Sequence, residues 1–481
     1  MKDISSSILF NTSAKIFTKL LGIVSTLLLA RILTPSDFAV VAVISIAIFF
    51  FEAIGNLGGE FYILRKKKVT TDEVNTAWTL DMLFRLLLWA VFFGFSKHIA
   101  HFLSYDQLTS LFQVASIVIL IKTFRNPGIF LLKRALQYKT IFYLGTLQKI
   151  VSFVVVIAIA LKFKSYWAFI LADLCGEIFF CIGSYFISKF RPSFKLVNVT
   201  KQLKFSLFIV AKRVVGYSRS QIDTILFAKY FTSNQLGNYQ LSRDMVMLPS
   251  AVLVEPSMEP LISYVAKSTE DKERLSSRVT EVLIAVSFIS LPVVAFLFQY
   301  PEITVRALLG PQWSLAEMYI SVMSLMFFYF CYLLILESVF IALGKVQLIF
   351  YFDLFSLLLI AITLSLILSY SDDVLDFILA RALTGIFGGL ILLYLLNKQI
   401  KLKFDVLVVY FILAALASLG SLYTTKILLD DVSGNEWLVF LLTGSVFAAI
   451  YLLIVYLSVS CINKYHFHQG RWNINLLKLI R

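Results

Sequence analysis

The chain has 481 residues, a formal net charge of +14, 59% apolar residues and only 15% charged ones, and its mean hydropathy is +0.86. A soluble domain is nearer half apolar and a quarter charged, so this composition excludes a soluble enzyme, a disordered chain and a fibre. Near-continuous apolar runs such as 151–161 and 357–368 exclude an outer-membrane barrel, whose strands would alternate over ~10 residues.

The expected fold class is therefore an all-α integral membrane protein. Fourteen spans are predicted, at residues 8–31, 38–56, 79–95, 108–121, 141–161, 166–187, 205–228, 238–264, 279–299, 315–340, 346–368, 377–396, 406–425 and 437–461; about 20 apolar residues cross a bilayer. Lys2 and Asp3 precede a first span interrupted by Lys15 and Lys19, with no small-residue cleavage site. That pattern reads as a retained anchor and not as a removable signal peptide. With the N-terminus placed in the cytoplasm, the inward connections collect basic clusters at 65–68, 133–139, 189–204 and 398–403. The outward ones hold Lys97, Lys162, Lys164, Lys229, Arg306 and Lys426. This is the positive-inside asymmetry. It explains the basic charge without nucleic acid and puts both termini in the cytoplasm. The connections are too short for a soluble catalytic domain. Cys175, Cys181, Cys331 and Cys461 lie in or beside apolar runs without metal-type spacing and are expected as buried free thiols.

The chain repeats itself. Arg31, Thr34, Phe38 and Ala39 after span 1 recur in kind as Lys229, Thr232, Leu236 and Gly237 after span 7, each 198 positions on. Phe169-Ile170-Leu171-Ala172-Asp173 in span 6 recurs as Phe377-Ile378-Leu379-Ala380-Arg381 in span 12, 208 positions on. Six helices return the chain to its starting side. Two parallel six-helix lobes related by a pseudo-twofold along the membrane normal are therefore expected. The N-terminal lobe is 1–195 (spans 1–6) and the C-terminal lobe 196–400 (spans 7–12). Residues 401–461 form two accessory spans, and 462–481 a basic cytoplasmic tail. Transporters bind substrate between such repeats, and rocking of one on the other gives alternating access.

Several motifs then resemble one family. Leu33-Thr34-Pro35-Ser36-Asp37-Phe38 resembles the turn after the first helix of Wzx-type polysaccharide flippases, with Ala39 where the family usually has glycine. Asp223, Leu236-Gly237-Asn238-Tyr239 and Pro249 resemble their seventh and eighth helices. Pro260-Leu261-Ile262-Ser263, with Asp271 and Arg274, resembles the end of helix 8. Leu309-Gly310-Pro311-Gln312-Trp313-Ser314-Leu315-Ala316 resembles the loop before helix 10. The set runs in order over about residues 1–400. The resemblance implies the MATE/MviN-like fold of the multidrug/oligosaccharidyl-lipid/polysaccharide exporters. It also implies a function: flipping a polyprenyl-pyrophosphate-linked oligosaccharide from the cytoplasmic to the outer leaflet of the bacterial inner membrane. The glycan would serve O-antigen, capsule or exopolysaccharide synthesis. Its implied partners are that lipid-linked oligosaccharide, the phospholipid bilayer, and the polysaccharide polymerase and glycosyltransferases of the pathway. No cofactor is implied.

Such a substrate needs cations for its pyrophosphate, arginine above all, and hydrogen-bonding groups and aromatic faces for its glycan. Span 1 carries Asn11, Thr12, Lys15, Lys19, Gly22 and Thr26 at helical spacing. At the 198 offset, Lys15 corresponds to Arg213, Gly22 to Ser220 and Thr26 to Thr224. The substrate-binding candidates are Lys15, Lys19, Lys212, Arg213, Tyr217 and Arg219, since a charge at mid-membrane marks function by default. Gate or ion-coupling candidates are Asp173, Arg381, Asp223 and Glu255. Asp173 and Arg381 occupy equivalent positions in the two lobes. Asp81 and Arg85, four apart on span 3, are expected to pair with one another, and so are Arg219 and Asp223. Glu52, Glu177, Glu337 and Asp353 are intramembrane acids without an assigned role. Pro249, Pro256 and Pro260 predict a broken or bent eighth span. No metal-ligand cluster, nucleophile constellation or phosphate-binding glycine loop is present, so neither an enzyme nor direct ATP use is expected. A cation-coupled multidrug exporter of the same fold is the alternative, and span 1, with two lysines and no acid, counts against it. A membrane glycan polymerase would need a larger outside loop.

Overall fold

In the computed structural model, residues 2–55, 57–197, 199–255, 261–262, 264–265, 271–429 and 434–466 are described. Side chains are described for these residues apart from 2–16, 201, 203–209 and 461–466. The chain forms two compact units: 1–240 with 353–361, and 241–352 with 362–481. Among the described residues the regular secondary structure is helical throughout.

The first unit opens with α1 (Lys2–Ile32) and α2 (Pro35–Gly55), joined by a tight turn. Thr34 Oγ1 donates to Asp37 Oδ2 at 2.6 Å while the Asp37 amide donates to Thr34 Oγ1 at 3.3 Å. This reciprocal cap satisfies amides that a helix start leaves unpaired. The same cap recurs between α9 (Val199–Tyr230) and α10 (Ser233–Pro249). There Thr232 Oγ1 donates to Gln235 Oε1 at 2.8 Å and the Gln235 amide donates back at 3.3 Å. The two turns pack together: a Cβ at Gly237 would strike the carbonyl oxygen of Pro35, with Pro35 Cα 2.9 Å away. Only glycine fits there, whereas Ala39, its counterpart, is fully buried.

Between these turns lie α3 (Gly59–Arg65), α4 (Thr71–Phe102), α5 (Thr109–Thr123), α6 (Gly128–Arg134), α7 (Tyr138–Phe163) and α8 (Trp167–Ile187). Thr70 and Glu73 form a capping box that starts α4 eight residues before the predicted span. Helices α5 and α6 meet at a bend of 61°. The intervening Asn126 ties the bend to the end of α8: its amide donates to Ser184 Oγ at 3.0 Å and its Nδ2 to the Phe190 carbonyl at 2.8 Å. The extended segment after α8 runs along the start of α4. Its amides at 193, 195 and 197 donate to Asn75 Oδ1, Thr79 Oγ1 and Thr76 Oγ1 at 3.0, 3.3 and 2.9 Å. Helix α10 stops at Pro249 and continues as a π-helical turn over Ser250–Val254. The expected break therefore begins there; Pro256 and Pro260 lie outside the described residues.

The second unit holds α11 (Lys272–Gln299), α12 (Pro301–Leu308), α13 (Ser314–Ala342), the ends of α14 (Val346–Tyr370), α15 (Val374–Ile400), α16 (Phe404–Leu429) and α17 (Glu436–His466). Helix α11 is capped by Asp271, whose Oδ1 accepts from the amides of Glu273 and Arg274. It packs on α13 and α16, and α13 packs on α15. Trp313, in the loop that opens α13, is fully buried.

Ten described helices are long and apolar enough to cross a membrane, or eleven if the bent α5–α6 pair is one span. The protein is a multi-pass membrane protein. Helices α1 and α9, which cover predicted spans 1 and 7, and α10, which reaches only residue 249 of predicted span 8, fall outside that set. In α9 the charges at 212, 213, 219 and 223 lower the hydropathy, and α10 has only 17 residues. Cys181 is partly buried and Cys331 buried, but Cys175 is exposed on α8, contrary to expectation. The thiol of Cys461 lies outside the described residues.

Candidate functional site

Helix α9 lies against α2 and carries the predicted cations within the first unit. The guanidinium of Arg213 sits over the Phe61 ring at 5.5 Å. Tyr217 OH donates to the Ile46 carbonyl of α2 at 3.1 Å. Arg219 Nη1 lies 3.0 Å from Asp353 Oδ1, whose side chain is 6% exposed. This salt bridge runs to α14, a partner that the four-residue spacing to Asp223 did not offer. Asp223 is fully buried and accepts from Tyr239 OH and from the Thr224 amide, both at 2.9 Å. Lys19 and Lys212 are half-buried, as is Glu255 just after the π-helical turn. The side chain of Lys15 lies outside the described residues. Arg381, in the second unit, is buried with its guanidinium 5.6 Å from the Tyr329 ring.

The first unit also holds a cluster whose basic members were read only as inward loop charges. Lys122 Nζ, at the end of α5, donates to Glu52 of α2 and lies 3.7 Å from Glu177 Oε1 of α8. Arg125 Nη2 donates to the other oxygen of Glu177, and Gln148 Nε2 of α7 donates to Glu177 Oε1 at 3.1 Å. Arg125 also covers the Phe180 ring at 4.5 Å. Two carboxylates and two cations therefore cancel in one layer. Sequence spacing could not show this, because the partners are 52 and 70 residues apart. The only signal was that two of the four unassigned intramembrane acids, Glu52 and Glu177, belong to it, while a third, Asp353, pairs with Arg219. Asp81 and Arg85 form no ion pair within 4.0 Å among the described residues, and the buried Oδ1 of Asp81 has no hydrogen-bond partner.

Two cavities flank this layer. On the side of α3 and α6, about 190 Å³ is lined by Glu60, Asp81, Arg85, Lys122, Arg125 and Lys133. On the other side, a partly open cavity of about 280 Å³ lies among α1, α2, α5, α7 and α8, with Ser25, Ser45, Lys149, Ser152 and Asp173 in its wall. The second unit has an apolar cavity of about 250 Å³ between α13, α15 and α16, lined by Phe328, Tyr332, Leu390 and Phe411 among others.

Residues 28–318, well over half of the chain, match the profile of the family described as "Polysaccharide biosynthesis protein". The chain belongs to this family. The succinoglycan biosynthesis transport protein ExoT of Rhizobium meliloti (strain 1021) is 22% identical to it over 323 residues, which is 66% of this chain and 64% of that protein. The lipopolysaccharide biosynthesis protein WzxC of Escherichia coli (strain K12) is 22% identical over 302 residues, 61% of each. The chain thus spans under two thirds of the length of these curated relatives. Among solved structures, the lipid II flippase MurJ in its inward closed conformation matches with a TM-score of 0.77 at 16% identity. That match covers 96% of this chain and 100% of MurJ. The Wzx-type resemblance and the fold it implies are borne out.

Proposed function

We propose that this polysaccharide biosynthesis family member is a transporter and not an enzyme. It flips a polyprenyl-pyrophosphate-linked oligosaccharide across the bacterial inner membrane by alternating access of two parallel lobes, 1–195 and 196–400. The observation that carries the reading is the family match over 28–318, with relatives named for succinoglycan transport and lipopolysaccharide synthesis. The positive-inside asymmetry supports cytoplasmic termini. The cations of α9 and of the first helix suit an anionic headgroup in low dielectric. In this reading Lys15 and Arg213, at equivalent positions of the repeat, hold the pyrophosphate, with Lys19, Lys212, Tyr217 and Arg219 around them. No chemistry is done on the glycan. Polymerase and glycosyltransferases act before and after the transfer.

The test is deletion of the gene with plasmid complementation. Surface glycan should fall, and lipid-linked oligosaccharide should accumulate where externally added glycosidase cannot reach it. Unchanged surface glycan, with no such accumulation, overturns the reading.

A further inference from the structure

The 280 Å³ cavity of the first unit has a floor. Four helices each give it a wall residue and, one turn along, a residue of the charged layer. Phe49 of α2 is followed by Glu52, Val118 of α5 by Lys122, Ser152 of α7 by Gln148, and Asp173 of α8 by Glu177. One helical turn is about 5.4 Å, so the layer closes one end of the cavity, and a ligand entering it meets a dead end.

The walls are mostly apolar, with Ile44, Ile48, Val118, Val156 and Ile170 among them, and carry a polar minority. Lys149 and Asp173 both line the space, yet neither forms an ion pair within 4.0 Å among the described residues. Ser25, Ser45 and Ser152 add three hydroxyls, and Phe49, Phe153 and Phe169 add aromatic faces. At Gly22 a Cβ would meet nothing within 4 Å, so the α1 wall stands back. Charges inside a membrane domain are retained where they face a polar cavity or a partner, which argues against an acyl or prenyl chain as occupant. A phosphate would find one ammonium and the repelling carboxylate of Asp173. A resident metal cation would be opposed by Lys149. A sugar hydroxyl both donates and accepts, and so suits a carboxylate, an ammonium and serine hydroxyls together. The C–H faces of a pyranose suit phenyl rings.

We propose that this cavity is a sugar subsite: it receives one pyranose residue of the oligosaccharide, held by Asp173, Lys149 and the serine hydroxyls and stopped by the charged floor. This rests on the flippase reading and adds to it a place for the glycan apart from the pyrophosphate cations.

The experiment places a single cysteine at Val41, or at Leu21 as a second choice, both in the cavity wall and neither among the proposed sugar contacts, in the full chain with Cys175, Cys181, Cys331 and Cys461 replaced. The protein is purified into nanodiscs and its labelling by a water-soluble maleimide is timed. The probes are methyl pyranosides of neutral, acidic and amino sugars, a polyprenyl pyrophosphate without sugar, and sodium chloride. A pyranoside at ten times its Kd should slow labelling about tenfold, while sugar-free carrier and sodium should not. Asp173→Asn and Lys149→Gln should abolish that protection, and Arg213→Gln should leave it. Gly22→Leu, which fills open space, should abolish it without loss of thermal stability. Protection by sugar-free carrier, by sodium, or by no probe overturns the proposal. Gene deletion separates the two readings. Glycan loss in the deletion strain without pyranoside protection sinks the subsite and leaves the flippase standing. Protection without glycan loss on deletion sinks the flippase reading.

Discussion

Replacing Lys122 by Met tests the charged layer most directly. The Lys122 side chain is 14% exposed, between Glu52 at 21% and Glu177 at 7%. Its removal leaves two carboxylates facing one cation, Arg125. Glu177 keeps Arg125 and the 3.1 Å amide of Gln148, so the uncompensated charge falls on Glu52. Breaking a buried pair by removing one partner costs about 3–5 kcal/mol, and the partial exposure of Glu52 places this case near the lower end. Neutralising the orphan should reverse the loss. Lys122→Met with Glu52→Gln restores a balanced layer and should return to within about 1 kcal/mol of the wild type, since an uncharged replacement of a buried pair is often close to neutral. Lys122→Met with Glu177→Gln strands Arg125 and should recover less. The assay is equilibrium unfolding of purified protein in mixed micelles, followed by tryptophan fluorescence and arranged as double-mutant cycles. The reasoning fails if Lys122→Met unfolds like the wild type, or if the two double variants recover equally.

Three further outcomes are expected. Gly237→Ala, which drives a methyl into the Pro35 carbonyl, should lower stability by about 1–3 kcal/mol; an unchanged melting temperature would show that the two turns can part. Tyr239→Phe removes the 2.9 Å phenol donor from fully buried Asp223 and should cost about 1–3 kcal/mol by the same unfolding assay, with Asp223→Asn in that background recovering part of it. Arg213→Gln should reduce surface glycan per molecule of inserted protein more than Arg213→Lys, because a point charge still attracts phosphate without the forked geometry; equal output from all three would make Arg213 a structural residue.

Much of the fold was legible because apolar runs of bilayer length are a strong signal. The Thr34 and Thr232 turns were legible because they repeat at an offset of 198, although their reciprocal caps were not read from the sequence. Extents were less legible. Helix α4 begins at Thr71 because Thr70 and Glu73 cap it, and a window that seeks hydropathy passes over those polar residues. The α9 cations were visible as charges out of place, yet spacing alone gave Arg219 a partner on its own helix and not Asp353 on α14. Lys122 and Arg125 were hidden for a different reason. They follow an apolar run directly, where a loop cation is ordinary, and only the fold brings Glu52 and Glu177 to them. Lys149 and Asp173 share one cavity because α7 and α8 pack side by side. Periodicity within either helix could not reveal that.

The charged layer also has an electrical consequence. A membrane potential does work on net charge, about 2.3 kcal/mol per unit charge moved through 100 mV. Glu52, Lys122, Arg125 and Glu177 sum to zero within one layer, so that layer offers the field nothing to pull on, however it shifts along the membrane normal. Arg213 lies outside it, and a step that carried the Arg213 guanidinium alone through part of the field would be voltage-sensitive. In the proposed transport cycle, voltage dependence would therefore have to come from charges outside this layer, those of α9 and of the pyrophosphate among them, while the floor of the neighbouring cavity stays indifferent to it.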